Sequence, residues 1–451
     1  MNPNERRASF ALAAVFSVRM LGLFMIYPVF ATFAGHLTGA TEVKIGIALG
    51  GYGLTQGLLQ IPFGLLSDRI GRKTMVVIGL VIFAAGSAIA ALSTSIEGVI
   101  IGRVLQGGGA VGSVILALVA DLTREEVRTK AMAVVGITIG FSFMVAIVIG
   151  PLVAGVIGVP GIFWLMVPLA AIGIGIVGWG VPTPPRARTH RDAEPVPALL
   201  GAVLRNGELL RLDFGIFALH GILTASFLAV PHLLRDAFSL SAADQWMIYL
   251  PILIVSVGLM VPAIIVAEKR RRMKEVLVAA VFVLGASQAV LYFDGVNRWA
   301  IVAAIVAFFA AFNVMEASLP SLVTKTAPAG AKGTATGVYS SSQFLGIFVG
   351  GAGGGLAHHA GGMAGVFAFA GCLAFVWLFV AATMRRPGQF TTHVARTAEI
   401  GAAEANRLAQ TLAGLPGVVD VAVVAEERAA YLKIESAKFD REAADRIAAG
   451  A

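Results

Sequence analysis

Ionisable side chains are scarce in this chain, and those inside long apolar runs mark where chemistry is possible. Glu316 reads as the only acid well inside such a run, and His220 lies near the middle of another. A carboxyl and an imidazole, the latter with an ordinary pKa of about 6.5, can each gain or lose a proton. In an apolar setting both are candidates for carrying protons rather than for making bonds. Arg19 and Arg103 are the two deep cations. An arginine in hydrocarbon is costly unless paired or hydrated, so each should face a cavity or a partner. Gln56 and Gln60 stand one helical turn apart, and with Asn313 and Gln343 they would suit the lining of one shared cavity. Hydrogen bonds that merely tie helices together account for these side chains, and for His220 and Glu316, in a plainer way.

No nucleotide-binding loop, nucleophile–base pair or metal-ligand cluster accompanies them, so neither an enzyme nor a cofactor or metal site is expected. Cys372 is the single cysteine, which excludes a disulfide framework and a thiolate metal cluster. The elements that must position these groups follow from composition. Of 451 residues, 57% are hydrophobic and only 13% charged, against about 25% charged in a soluble domain. The 53 glycines suit helices packed closely in lipid. Runs long enough to cross a bilayer as helices lie at 9–34, 44–66, 74–95, 98–120, 131–157 and 161–181. A second set lies at 210–233, 246–267, 276–293, 299–322, 333–356 and 363–384. These twelve runs are numbered helices 1 to 12. The first is too long for a signal-peptide core and is read as helix 1.

Basic residues alternate between the connections. One side holds Arg6 and Arg7; Arg69, Arg72 and Lys73; Arg124, Arg128 and Lys130; the arginines between 186 and 211; Lys269 to Lys274; Lys325 and Lys332; and Arg385 and Arg386. The other side holds only Lys44, Arg235 and Arg298. The positive-inside rule then places both termini on the cytoplasmic side. The net charge of +8 is thereby explained without a nucleic-acid partner. Expected units are a six-helix bundle over 1–181, a cytoplasmic linker over 182–208, a second six-helix bundle over 209–386, and a tail domain over 392–451.

The halves read as a repeat. Pro62, Asp68, Arg69 and Arg72 at the end of helix 2 recur as Pro262, Glu268, Lys269 and Arg272 at the end of helix 8. A parallel six-helix repeat is the mark of a transporter whose substrate site lies between the halves. Gly64-Leu-Leu-Ser-Asp68-Arg69-Ile-Gly71-Arg72-Lys73 resembles the signature loop of the major facilitator superfamily. Arg103-Val-Leu-Gln106-Gly107-Gly-Gly109 resembles that superfamily's helix 4 pattern. Gly140, Gly150, Pro151 and Gly155 resemble the helix 5 pattern of its drug–proton antiporters. The resemblance covers roughly residues 8–384. It implies an all-α membrane protein of twelve transmembrane helices in two six-helix halves, working by alternating access as a monomeric unit. It also implies that Asp68 faces the positive end of helix 11, and that Arg72 pairs with Asp121, latching the basic side shut. The plainer reading of Asp68 and its neighbouring bases is that they only set topology. Pro151 predicts a kink in helix 5.

From about His393 the pattern changes. Strands are expected over 394–400, 417–423 and 430–434, with helices over 402–413 and from the Asp440 cap to 447. This β-α-β-β-α order resembles a small α+β ferredoxin-like domain, but Glu399-Ile-Gly-Ala stands where a C-x-x-C metal motif would be. The expectation is a proton-coupled secondary transporter, an efflux antiporter of small amphipathic compounds, with protons and that solute as its partners in the lipid bilayer. An uptake symporter or facilitator of a polar solute, or a transporter-like sensor reporting through the tail, are the alternatives.

Overall fold

A computed structural model describes residues 1–183, 195–293, 297–386, 388, 390–435 and 438–450. Among them, nine helices are long and apolar enough to cross a membrane. Two of these, Lys130–Gly180 and Lys332–Ala382, run for 51 residues each, far more than one bilayer requires. The first leaves helical dihedrals at Gly158 (φ 69°, ψ 175°), the second at Gly361 and Gly362. Each therefore folds back as two spans, helices 5 and 6 and helices 11 and 12. Glu42–Ile70, also 29 residues long, completes the twelve as helix 2. The remaining helices are 1 (Pro3–Ala34), 3 (Arg72–Leu92), 4 (Ile96–Asp121) and 7 (Gly207–Phe238). Helices 8 (Trp246–Lys269), 9 (Met273–Phe293) and 10 (Arg298–Thr326) follow. Pro151 stays within the helical run, so the break in this region belongs to Gly158 and not to the proline. A positive φ there is open to glycine at no steric cost.

The ends are capped by the residues that ordinarily do so. Asn2 and Glu5 form a reciprocal capping box that starts helix 1 at Pro3, earlier than the apolar run begins. Asn206 accepts from Glu208 N and Leu209 N to start helix 7. Gly71, at φ 96°, reverses the chain between helices 2 and 3.

The two halves meet along one seam of glycines. Gly46, Gly50, Gly53 and Gly57 recur at three- and four-residue spacing on one face of helix 2. A Cβ at Gly50 would stand 2.9 Å from the Ile347 carbonyl oxygen, and one at Gly46 or Gly53 would overlap the Gly351 or Phe344 carbonyl oxygen. Helix 11 turns a second stripe to its own half: Gly346, Gly350 and Gly354 pack on Phe217, Gly221 and Ala225 of helix 7. Without side chains at these positions, backbones approach closely enough for dispersion to hold helices together in lipid. Two further cross-half contacts lie toward the same face, the one opposite the basic loops. Tyr27 packs edge-on to Phe227 at 5.5 Å, and a Cβ at Gly155 would meet Ala243 at 2.7 Å. On the basic-side half of helix 5, Gly136 and Gly140 meet nothing within 4 Å.

The tail holds β1 (Thr391–Arg396), helix Ala402–Ala413, β2 (Val418–Val424), β3 (Ala429–Ile434) and helix Arg441–Ala449. The sheet order is β1-β3-β2, antiparallel throughout. β1 starts earlier than the pattern predicts because its ladder runs the whole length of β3, Thr391 opposite Ile434. Alternation divides the sheet. Ala395, Ala430, Leu432 and Ile434 pack under the tail's helices with Leu408, Leu412, Ala444 and Ala448. Val394, Ala422, Val424, Ala429 and Tyr431 face the other way, onto Ala329 in the joint between helices 10 and 11. On this outer face Asp420 Oδ2 accepts from Ala329 N at 2.9 Å. Lys433 Nζ donates to Thr326 O at 3.1 Å and Ala327 O at 3.2 Å, covering the last carbonyls of helix 10. Burial holds the Lys433 ammonium below its ordinary pKa, an effect Asp420 opposes and Lys332 reinforces.

Replacing Lys433 by Ala leaves those two carbonyls without their charged donor, a loss of about 1 kcal/mol in docking free energy. Limited proteolysis of the purified protein should then cut near the 10–11 joint about fivefold faster than in the unaltered chain. An unchanged cleavage rate would show that the tail is held by other contacts.

Candidate functional site

Helix 4 is interrupted at the glycines of its motif: one segment ends at Gly108 and the next begins at Gly112. The break frees the Gly109 carbonyl, and Arg19 Nη2 from helix 1 donates to it at 3.0 Å. The same nitrogen donates to Gln56 Oε1 at 2.6 Å. Gln56 Nε2 in turn donates to Gln60 Oε1 at 2.7 Å. Arg103 is anchored in the same cluster: Nε to Ala48 O and Nη2 to Leu49 O, both at 3.2 Å, and Nη1 to Gln106 Oε1 at 2.9 Å. The Tyr52 ring lies between the two guanidiniums, 5.5 Å from Arg19 and 5.4 Å from Arg103. Both arginines are at most 2% exposed. They face partners inside the first half, and those partners are neutral: amides, carbonyls and a π-face.

The second half is different in kind. His220 Nε2 lies 2.8 Å from Gln343 Nε2 and 3.9 Å from Glu316 Oε2. The amide N–H of Gln343 can only donate, so the ring nitrogen accepts. Glu316 Oε2 has no hydrogen-bond partner among the described residues, and a third of its side chain is exposed. Asn313, on the same helix, donates to Ser256 Oγ of helix 8 at 3.2 Å. The expectation of one cavity lined by all four amides is therefore corrected. Gln56 and Gln60 solvate Arg19, Asn313 ties helices 10 and 8, and Gln343 alone joins the titratable pair.

Beside the His220 cluster stands a set of aromatic rings that neither residue type nor spacing marks out in the sequence. Phe143 of helix 5 stacks on Phe312 of helix 10 at 5.6 Å and meets Phe24 of helix 1 edge-on at 4.9 Å. Phe312 also touches His220 at 5.7 Å. Ser17 and Ser142 hydrogen-bond at 2.5 Å on the first-half side. Tyr52 could have been found in the sequence, since it lies one and two turns from Gln56 and Gln60 on the same face. The phenylalanines carried no such signal in a chain with 27 of them.

At the basic face, Arg72 Nη1 lies 2.5 Å from Asp68 Oδ1, and Nε donates to Asp121 Oδ2 at 3.1 Å. Lys73 Nζ reaches Val181 O at 2.8 Å, and Arg69 is exposed. Gly64 faces Ser113 of helix 4. Asp68 makes no described contact with helix 11, contrary to expectation. The first turn of helix 11 is engaged by the linker instead: Val196 N donates to Thr334 Oγ1 at 2.9 Å, and Pro195 packs against Gly337. In helix 5, Gly150 lies against the Met25 carbonyl of helix 1, Gly155 against Ala243, and Gly140 against nothing.

The Major Facilitator Superfamily profile matches residues 12–351. The chain belongs to that superfamily. Within it, the chain is 46% identical over 442 residues to the inner membrane transport protein YajR of Escherichia coli, covering 98% of this chain and 97% of the relative. A YajR YAM domain profile matches the tail at 400–447. An uncharacterized transporter of Buchnera aphidicola is 32% identical and covers 78% of this chain and 90% of the relative. Among solved structures, a bacterial homologue of the human lysosomal transporter Spinster, inward-facing and occupied, aligns with a TM-score of 0.67 at 14% identity. It covers 85% of this chain and 98% of its own length. The human organic anion transporter MFSD10 aligns with a TM-score of 0.59 at 20% identity, over 84% of this chain and all of its own. This major facilitator is a YajR-like membrane transporter with a C-terminal YAM domain.

Its buried arginines test how the first half is held. A lysine at Arg103 cannot reach Ala48 O, Leu49 O and Gln106 at once, because it lacks the planar fork of donors. Arg103→Lys should destabilise the detergent-solubilised protein by about 1–3 kcal/mol, read as a lower thermal-unfolding midpoint. A midpoint equal to that of the parent would mean the fork is not needed.

Proposed function

We propose that this protein is a proton-coupled efflux antiporter of small amphipathic compounds, working by alternating access in a bacterial inner membrane. The observation that carries the reading is the His220–Gln343–Glu316 group set beside the Phe143–Phe312 stack, where the two halves face each other. A titratable pair at such a place can trade a proton for a bound solute as access changes. Aromatic walls, with few charges facing the same space, favour flat apolar bodies bearing a polar or cationic end. The positive-inside rule makes the basic loops cytoplasmic. The seam at Gly46–Gly57 and the Tyr27–Phe227 contact then close the periplasmic side, and the pathway opens inward. In this state Asp68 is held by Arg72 within its own half; its turn against helix 11 belongs to the opposite, outward-open state. A second reading, a membrane sensor, draws support from the docking of the tail on the 10–11 joint. A sensor would bind its ligand without flux.

Efflux of the fluorescent cation ethidium, from cells lacking their main exporters, tests the proposal with and without a protonophore. Efflux should stop with the protonophore, and Glu316→Gln should lose its dependence on the pH gradient while still exchanging ethidium across the membrane. Gradient dependence that survives in Glu316→Gln would move the proton to another group. Asp68→Asn should fold and insert normally but transport several-fold more slowly, because the outward-open state loses its charge at the helix 11 terminus. Unimpaired flux in that variant would remove the latch from the mechanism.

A further inference from the structure

Helix 7 carries a second acid that the coupling scheme leaves unused. Asp213 lies seven residues before His220, two turns along the same helical face and so about 10 Å nearer the basic loops. The residue is 5% exposed, and neither carboxyl oxygen has a hydrogen-bond partner among the described residues. The charges at the start of helix 7 are engaged elsewhere. Arg211 Nη1 donates to Glu208 Oε1 at 2.9 Å, and Arg385 N donates to Glu208 Oε2 at 3.2 Å. From the second segment of Lys332–Ala382, the neutral Trp377 indole packs by Gly215, 3.0 Å from where a Cβ would stand.

Helix 11 supplies a titratable neighbour. Gly346 packs on Phe217 and Gly350 on Gly221, and the same offset sets Ser342 level with Asp213. One turn nearer the basic face, the Tyr339 hydroxyl is buried, lacks a hydrogen-bond partner among the described residues, and feels both Asp213 and, from helix 10, Glu316. A carboxylate without partners is costly in such a place.

We infer that Asp213 is a second proton-binding carboxyl, placed between the His220–Glu316 pair and the basic face, with Tyr339 as the hydroxyl that links the two acids. The transport role assigned to it rests on the proton-coupled reading above; its proton binding does not. In the exit direction, protonated Asp213 first gives its proton to water at the basic face; the Glu316 O–H bond then breaks as its proton joins the Tyr339 oxygen, and the Tyr339 proton re-forms the Asp213 carboxyl. One proton leaves Glu316 and one reaches water, with Tyr339 and Asp213 returned to their starting forms.

The test uses the full chain in lipid nanodiscs. Infrared difference spectra over a pH titration should show a protonated-carboxyl C=O band that is missing from Asp213→Asn, shifted in Asp213→Glu and retained in Glu316→Gln. Spectra of Asp213→Asn that superimpose on the parent's would overturn the inference. Asp213→Asn is isosteric, and Asp213→Glu keeps the carboxyl if the amide fails to fold. In the ethidium assay, Asp213→Asn should displace the pH of half-maximal efflux, and Tyr339→Phe should slow efflux several-fold. Should ethidium efflux prove indifferent to the protonophore, the coupling reading falls, while loss of the band still establishes Asp213 as a proton site. If efflux is proton-driven and uncoupled by Glu316→Gln but neither Asp213 variant alters band or pH profile, the coupling reading stands and this inference is refuted.

Discussion

Backbone-to-backbone packing of helix 2 on helix 11 is the contact on which the arrangement of the halves depends. In lipid no hydrophobic gain drives two apolar helices together, so their association rests on how closely they can approach. Gly46, Gly50 and Gly53 meet Gly351, Gly355, Ile347 and Phe344 with no room for a side chain between them, and a Cβ at Gly57 would stand 3.0 Å from the Ser341 carbonyl oxygen. Helix 11 meets helix 7 through a separate glycine stripe, so one helix is glued to its own bundle and to the opposite one by different faces. The reach of Gln343 to His220 goes with that second stripe, which sets helices 7 and 11 side by side.

The two halves solve the problem of buried polarity in opposite ways. The first holds two permanent cations with dipoles alone, and no carboxylate stands among the partners described for them. A guanidinium that cannot lose its charge, spread over amides and carbonyls, fixes helices 1, 2 and 4 as one body whatever the pH. The second half carries the groups whose charge can change, and leaves Glu316 and Asp213 short of partners. The proposed proton exchange would thus act in a titratable half against a rigid one.

Much of this was readable from residue types. Twelve apolar runs, the alternation of basic loops and the β-α-β-β-α tail follow from period and composition, because the bilayer and the pleat impose lengths and periods directly. The signature loop and the helix 5 glycines carried the family. Which amides share a cavity was not readable: Gln56 and Asn313 are alike in type and depth, and only tertiary packing sends one to Arg19 and the other to Ser256. Asp213 escaped notice because it lies four residues into its run, where a charge usually reads as a helix end. Its burial comes from the packing of neighbouring helices around helix 7, which a single sequence does not show. The aromatic set was hidden by abundance rather than by position.

The tail gains meaning from where it is attached rather than from its fold. Its sheet keeps one face for its own helices and spends the other on a single joint, the turn that ends helix 10 and begins helix 11. Helix 10 bears Glu316 and helix 11 bears Gln343 and the glycine seam, so that joint connects the proposed proton site to the contact between halves. Closing the basic face would bring the start of helix 11 toward the Asp68 loop, and the Val196–Thr334 bond that now occupies it would have to yield. A domain fastened to Thr326, Ala327 and Ala329 moves with that joint or resists it. The outer face of a three-stranded sheet is stiff on the scale of a helix turn. In the proposed alternating-access cycle, the tail's attachment to this joint would couple its position to the step by which the two halves exchange access.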